Sequence, residues 1–230
     1  MELRLLTKKR SRKKIEAKQE IAPEQKMALH ALQKQKQALD MKEWLAAAAF
    51  VGIASLLRVM MQAFPNVEPL TFFALLAGWL FGSKKGALVG ISSLYLSNFL
   101  VLGGQGPWTI FQIIGYGLAG FLGGMLRKKS SIWEVLAITL IATISLQLIF
   151  NLGWSLMIGI NFLVAMITGL VFSVIHVVSN LAFATLLPKA RKLVYEKFKF
   201  NERELCNALI AELNSRMPAK QHSKQLKQPA

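Results

Sequence analysis

From residue 44 to residue 188 the chain carries only six Lys or Arg, at Arg58, Lys84, Lys85, Arg127, Lys128 and Lys129, and only two acids, Glu68 and Glu134. Stretches this poor in charge leave few folds open. A helix needs about 20 apolar residues to cross the hydrocarbon core of a bilayer, and backbone polar groups at that depth must pair internally. The flanks are the reverse. Residues 1–43 hold twelve Lys or Arg, and residues 189–230 hold ten. A net charge of +16 beside a mean hydropathy of +0.41 therefore describes separate parts of one chain, not one basic soluble domain. The sequence reads as an all-α integral membrane protein. It has a basic, partly helical tail over 1–43, a transmembrane domain over 44–187, and a second basic tail over 188–230.

The apolar runs predict helices over 44–64, 70–81, 87–102, 108–126 and 132–152. Residues 153–187 are too long for one helix and marginal for two. Basic loops stay on the cytoplasmic side, and both 127–129 and 189–192 are strongly basic. An even number of crossings must join them. That places a sixth helix at 169–187. It leaves 154–168 as an outer interfacial or re-entrant segment, or as an extension of the fifth helix. Lys84-Lys85 falls inside, and the turns at 65–69 and 103–107, which lack Lys and Arg, fall outside. The expected topology is six transmembrane helices in the plasma membrane with both termini cytoplasmic.

The apolar region begins too far into the chain for a signal peptide. The lone Cys206 has no partner for an internal disulfide and reads as an inert thiol. The N-terminal tail, with Pro23 placed to open a helix through Lys42, suits anionic lipid, a partner, or plain solvation. Nucleic acid is the weaker candidate. In the C-terminal tail Asn201 and Glu204 have capping-box spacing, and Leu205, Leu209, Ile210 and Leu213 form an apolar stripe. That pattern predicts a helix lying on the membrane or on another subunit.

Polar residues inside apolar runs are expensive and face protein or water. Trp108 and Gln112, Gln147 and Asn151, and His176 and Asn180 are each four apart, so each pair shares a helix face. The topology brings all three pairs to the outer half of the bundle, with Asn98 ending the third helix, Arg58 two turns below the end of the first, and Gln105 in the turn 103–107. A polar outer half over an apolar inner half describes an outward-facing cup. Each residue also has a plainer role. Arg58 could snorkel or pair with Glu68, the amides and His176 could bond between helices, and Trp108 suits an interface belt. Ala48, Gly52 and Ser55 give the first helix a small-residue face for another subunit, and Gly120 and Gly124 suit internal packing. No paired carboxylates, HExxH motif or GxxxxGK[ST] loop appear, so no enzyme, metal centre or bound cofactor is expected.

Residues 64–82, "FPNVEPLTFFALLAGWLFG", residues 86–120 around "GGQGPWTIFQ", and the H-x-x-x-N of His176 and Asn180 resemble the substrate-binding S component of energy-coupling factor (ECF) vitamin transporters. The branch linked to cobalamin uptake is the most similar. The resemblance covers 44–187. It implies a membrane subunit that captures a vitamin-like molecule, with cobalamin or a corrinoid among the candidates. It also implies a transmembrane coupling subunit and two cytoplasmic ATPase subunits as partners, which would use ATP on this chain's behalf. The family's Ala-x-x-x-Ala contact face is matched here by Ala48-x-x-x-Gly52. The rival readings are a stand-alone secondary carrier, which would want inverted repeats and midplane ion-coupling groups, and a membrane scaffold that uses its basic tails.

Overall fold

The computed structural model describes residues 23–197 and 200–215, with only the helical backbone described at Phe200 and Asn201. Residues 1–22 and 216–230 of the two basic tails, and the Asn201 side chain proposed as a cap, lie outside the described residues. Every regular element among the described residues is a helix: α1 (Pro23–Met61), α2 (Leu70–Phe81), α3 (Ser83–Asn98), α4 (Thr109–Gly123), α5 (Ile132–Ile158), α6 (Phe162–Thr168), α7 (Leu170–Ala184), α8 (Leu187–Lys197) and α9 (Phe200–Ser215).

Two of these, α1 and α5, are long and apolar enough to cross a membrane, and α6 with α7 makes a third if the pair is one broken span. The outside of the bundle agrees. Ile53, Leu56, Ile114, Ile141, Leu148 and Val178 are exposed, while Ser93, Asn98, Thr143, Gln147, His176 and Asn180 are buried. Large apolar side chains exposed around a bundle that buries polar ones are unlike the surface of a water-soluble protein. The chain is suited to association with a membrane.

The helix limits depart from the sequence expectation where local chemistry decides. The first span is not a separate helix: α1 runs unbroken from Pro23, where the sequence places a helix start, into the apolar run that opens at residue 44. Lys84 and Lys85 lie in the first turn of α3 and not in a loop. The α2–α3 connection is Gly82 alone, at φ +90°, a conformation glycine adopts without steric cost. Segment 154–168 divides: α5 extends to Ile158, Gly159 caps it at φ +74°, and Asn161 caps α6 by accepting from Leu163 N. A 62° bend then separates α6 from α7.

The start of α5 is held by a capping box in which Ser131 accepts from Glu134 N and Glu134 accepts from Ser131 N. Ser131→Ala should lower thermal stability by about 1 kcal/mol, read from unfolding in detergent.

The chain divides into two compact units. One contains the described residues of Met1–Met41 and Lys199–Ala230. In it Arg203 pairs with Asp40 at 3.0 Å, and the Cys206 thiol donates to the Leu32 carbonyl at 3.2 Å. Cys206, Leu29 and Leu39 are buried, while Leu205 is exposed. The inward face of α9 is thus turned one residue from the stripe read in the sequence.

The other unit, Lys42–Phe198, is the bundle. Its core gathers Ala54, Leu70, Leu94, Tyr116 and Leu146, with Phe73, Ile113 and Phe150 packed against it. Three helices, α2, α3 and α4, meet along bare backbone. A Cβ at Gly120 would stand 2.0 Å from the Gly86 carbonyl oxygen, and one at Gly78 would stand 2.2 Å from the Gly120 oxygen. Glycine here permits contact that no side chain allows. The approach joins the start of α3 to the end of α4; Asn98 and Gln112 lie at the opposite ends of these two helices.

Candidate functional site

Arg58, in the last turn of α1, is the centre of one polar network. Its Nη1 donates to Ser97 Oγ at 2.8 Å and to Asn98 Oδ1 at 2.6 Å. Its Nε lies 3.4 Å from Glu68 Oε2. The same carboxylate oxygen accepts from the buried Tyr116 hydroxyl at 2.5 Å. Asn98 passes the pattern on, its Nδ2 donating to Gln112 Oε1 at 3.0 Å and to Thr109 Oγ1 at 3.4 Å. A charge among apolar helices is tolerable when paired and hydrogen-bonded, and here α3 and the loop before α2 supply the partners of the charge on α1, while α4 holds those partners in turn.

A second network ties α5 to α7. Gln147 Nε2 lies 2.5 Å from His176 Nδ1, and Gln147 Oε1 accepts from Ser173 Oγ at 3.1 Å. Asn180 Nδ2 donates to Thr71 Oγ1 at 3.2 Å and Thr143 Oγ1 at 3.0 Å. Asn151 donates back to the Gln147 carbonyl within its own helix. His176 Nδ1 is thus engaged by Gln147, and the ring nitrogen left over is Nε2. That Nε2 and Asn180 Oδ1 are buried without a hydrogen-bond partner. Two polar atoms, four residues apart on α7, are left unmatched. Such groups in a folded interior call for an explanation.

The turn 103–107 is built around Trp108. Gly103 and Gly104 have positive φ. The indole Nε1 reaches the Gly104 carbonyl at 3.4 Å, and the ring lies over Gly106, where a Cβ would come within 2.4 Å of it. Thr109 Oγ1 accepts from Gly106 N at 3.1 Å. The turn therefore holds the indole at the mouth of α4. Gln105 does something else: its amide donates to the Tyr95 carbonyl, which secures the turn to α3.

Three cavities lie near these groups. One of about 290 Å³ is lined by Trp108, Phe111, Gln112, Phe150, Trp154 and Met157. One of about 220 Å³ touches Arg58, Asn66 and Glu68. One of about 260 Å³, almost wholly apolar, has Gln147 and Ser173 on its wall. The polar pairs expected to share one cup are thus distributed. Arg58, Trp108 with Gln112, and Gln147 line separate cavities, and Asn98, Gln105, Asn151, His176 and Asn180 line none of the three. Among the described residues no three His, Cys, Asp or Glu side chains are grouped to hold a metal ion.

A family model described as "Family of unknown function (DUF6580)" matches residues 39–204. The chain belongs to the DUF6580 family. The matched span contains both polar networks and all three cavities. No curated protein matches the chain, and no solved structure matches it.

In this DUF6580 member the small-residue face of α1 is divided. Ala48 and Gly52 are exposed, and nothing lies within 4 Å of a Cβ built at Gly52. Ser55 is buried and donates to the Ser93 carbonyl at 3.0 Å. Sequence reasoning passed over Tyr116, Ser97, Thr109, Thr71, Thr143 and Ser173, whose side chains complete the networks. Serine, threonine and tyrosine in an apolar helix give little warning, because all can bond their own helix or sit at an interface. It also passed over Phe111, Phe150 and Trp154, which look like ordinary bulk in a hydrophobic run.

Proposed function

We propose that this chain is the substrate-capture subunit of an ATP-driven, ECF-type micronutrient importer in the plasma membrane. On this reading it crosses the membrane six times with both termini cytoplasmic, and the turns 65–69 and 103–107 face outside. A vitamin-like small molecule enters from that side. The observation that carries the reading is the unmatched pair on α7. Buried polar atoms in an apolar bundle cost free energy unless something pairs with them, and His176 Nε2 and Asn180 Oδ1, which border none of the three cavities, are two polar atoms left to pair with a ligand that parts the helices beside α7. Gln112 and Gln147 each put an amide on a cavity wall, and amides both donate and accept. The exposed Ala48–Gly52 face of α1 is the surface proposed to meet a transmembrane coupling subunit, with ATP used by two ATPase subunits bound to that partner.

The test is capture itself. Protein purified in lipid nanodiscs should retain a cofactor-sized molecule detectable by mass spectrometry. Gln112→Leu combined with Asn180→Leu should lower its retention at least tenfold, a loss of about 1.4 kcal/mol or more. Uptake into cells should require the coupling and ATPase subunits. No retained molecule, or full transport by this chain alone, would overturn the assignment.

A further inference from the structure

The hydrogen-bond directions around Gln112 carry more than its position. An amide looks nearly symmetric, and its orientation must be decided by its partners. Here the decision starts at Arg58. A guanidinium has only donors, so the Asn98 atom at 2.6 Å from Arg58 Nη1 must be its oxygen. The Asn98 –NH2 then faces Gln112, and the Gln112 atom 3.0 Å away must be an oxygen. That leaves the Gln112 –NH2, which makes no hydrogen bond among those described, as the donor available to its cavity.

The walls of that cavity are aromatic. Trp108, Phe111, Phe150 and Trp154 surround a space of about 290 Å³, with Met157 beside them. Two positions are built for this. Gly106 lets the Trp108 indole lie flat on its own turn, and Gly153 leaves room for the Phe111 ring, which a Cβ there would approach to 2.4 Å. Both tryptophans remain partly exposed, Trp108 at 37% and Trp154 at 49%, so the space lies behind a reachable aromatic rim. Flat aromatic walls favour flat occupants through offset stacking and edge contacts. The volume sits at the lower end of the ~300–1,000 Å³ typical of ligand pockets. It admits one fused ring system and is far too small for a corrin macrocycle.

We infer that the captured ligand carries a planar, uncharged heteroaromatic group with a hydrogen-bond acceptor, a ring nitrogen or carbonyl, and that this group sits in the aromatic cavity with its acceptor on the Gln112 amide nitrogen. The inference rests on the capture reading above and names the chemical class that reading leaves open. Arg58 acts at a distance, as a positioning residue that sets which end of Gln112 faces the ligand.

The probes are caffeine and 1,3-dimethyllumazine, which are planar and carry acceptors only, and indole, which is planar with a single N–H donor. Binding is measured by equilibrium dialysis against the full chain in nanodiscs, with empty nanodiscs giving the partition baseline. One or both acceptor-only rings should bind saturably at one site, at least tenfold more tightly than indole. Gln112→Met and Gln112→Glu should each weaken that binding at least tenfold, the second because it presents a carboxylate where the donor was. Trp154→Leu should weaken all three rings together. Thermal unfolding confirms that each variant is folded. The inference is overturned if neither acceptor-only ring exceeds the baseline, if indole binds as well as they do, or if both Gln112 variants bind normally. The two readings can fail separately. A retained native molecule without an aromatic ring would end this inference and leave capture intact. Saturable ring binding without any cellular uptake would do the reverse.

Discussion

Glu68→Leu is expected to destabilise the bundle by about 3–5 kcal/mol, the cost of removing one partner from a desolvated ion pair. Arg58 would keep Ser97 and Asn98 but lose its countercharge, and the buried Tyr116 hydroxyl would lose its acceptor. The side chains of Arg58 and Glu68 are only 11% and 22% exposed, so water reaches a stranded charge only through the cavity they line. Glu68→Gln should cost less, because an amide oxygen still accepts from both neighbours. Replacing the whole set, with Arg58→Met, Glu68→Leu and Tyr116→Phe together, should recover most of the stability, since no charge is left stranded. Unfolding of the purified protein in one detergent, followed by fluorescence, compares the four. A Glu68→Leu loss below about 1 kcal/mol would place the pair with solvated surface pairs.

The second large effect concerns the glycine seam. Gly120→Leu should yield no folded monodisperse protein, and Gly120→Ala should cost about 3 kcal/mol or more, at or beyond the upper end of ordinary overpacking. The obstacle at Gly120 is the Gly86 carbonyl, at 2.0 Å from an added Cβ, and the following amide of Ala87 at 2.8 Å. Backbone cannot rotate aside as a flexible side chain can. Gly52→Ala is the matched control. Nothing lies within 4 Å of a Cβ there, so alanine should be neutral or stabilising by up to about 1 kcal/mol through helix propensity. Yield and thermal midpoint in detergent separate the two positions. Equal behaviour at both would remove the close approach of α2, α3 and α4 from the account of stability.

The sequence was most legible where chemistry and environment disagree. Gln147, Asn151, His176 and Asn180 stand out because amides and imidazole are costly in apolar helices, and the structure links Gln147 to His176, and Asn180 to Thr71 and Thr143. The helix over Leu70–Phe81 was legible because Pro69 and Gly82 bound it. What remained hidden depends on rotation and register. Ala48, Gly52 and Ser55 share a face by spacing, yet only the first two point outward, because Ser55 sits at the edge where α1 meets α3. Glu68 lies in a loop; its pairing with Arg58 was open to sequence reading, but nothing in its neighbours tells that it also reaches Tyr116. The direction of the Gln112 amide is a property of a chain of three side chains on three helices. No spacing rule contains it.

The helices of the bundle are of unequal length, and that has a consequence for the lipid around them. At 1.5 Å per residue, the 27 residues of α5 extend about 40 Å, while the 15 of α4 extend only about 22 Å. A hydrocarbon core is about 30 Å thick. Helix α2, shorter still, is shielded, with nine of its 12 residues buried. Helix α4 is not shielded, since Ile110, Ile114 and Phe121 face outward. The protein therefore presents a low wall on one flank and a tall one on another. If α4 crosses the membrane as the proposed six-span topology requires, acyl chains must shorten toward it, or the bundle must lean to lower α5 into the membrane, and either adjustment costs fractions of a kcal/mol per Å. The acyl-chain length of the surrounding lipid thus becomes a physical control on how this bundle sits.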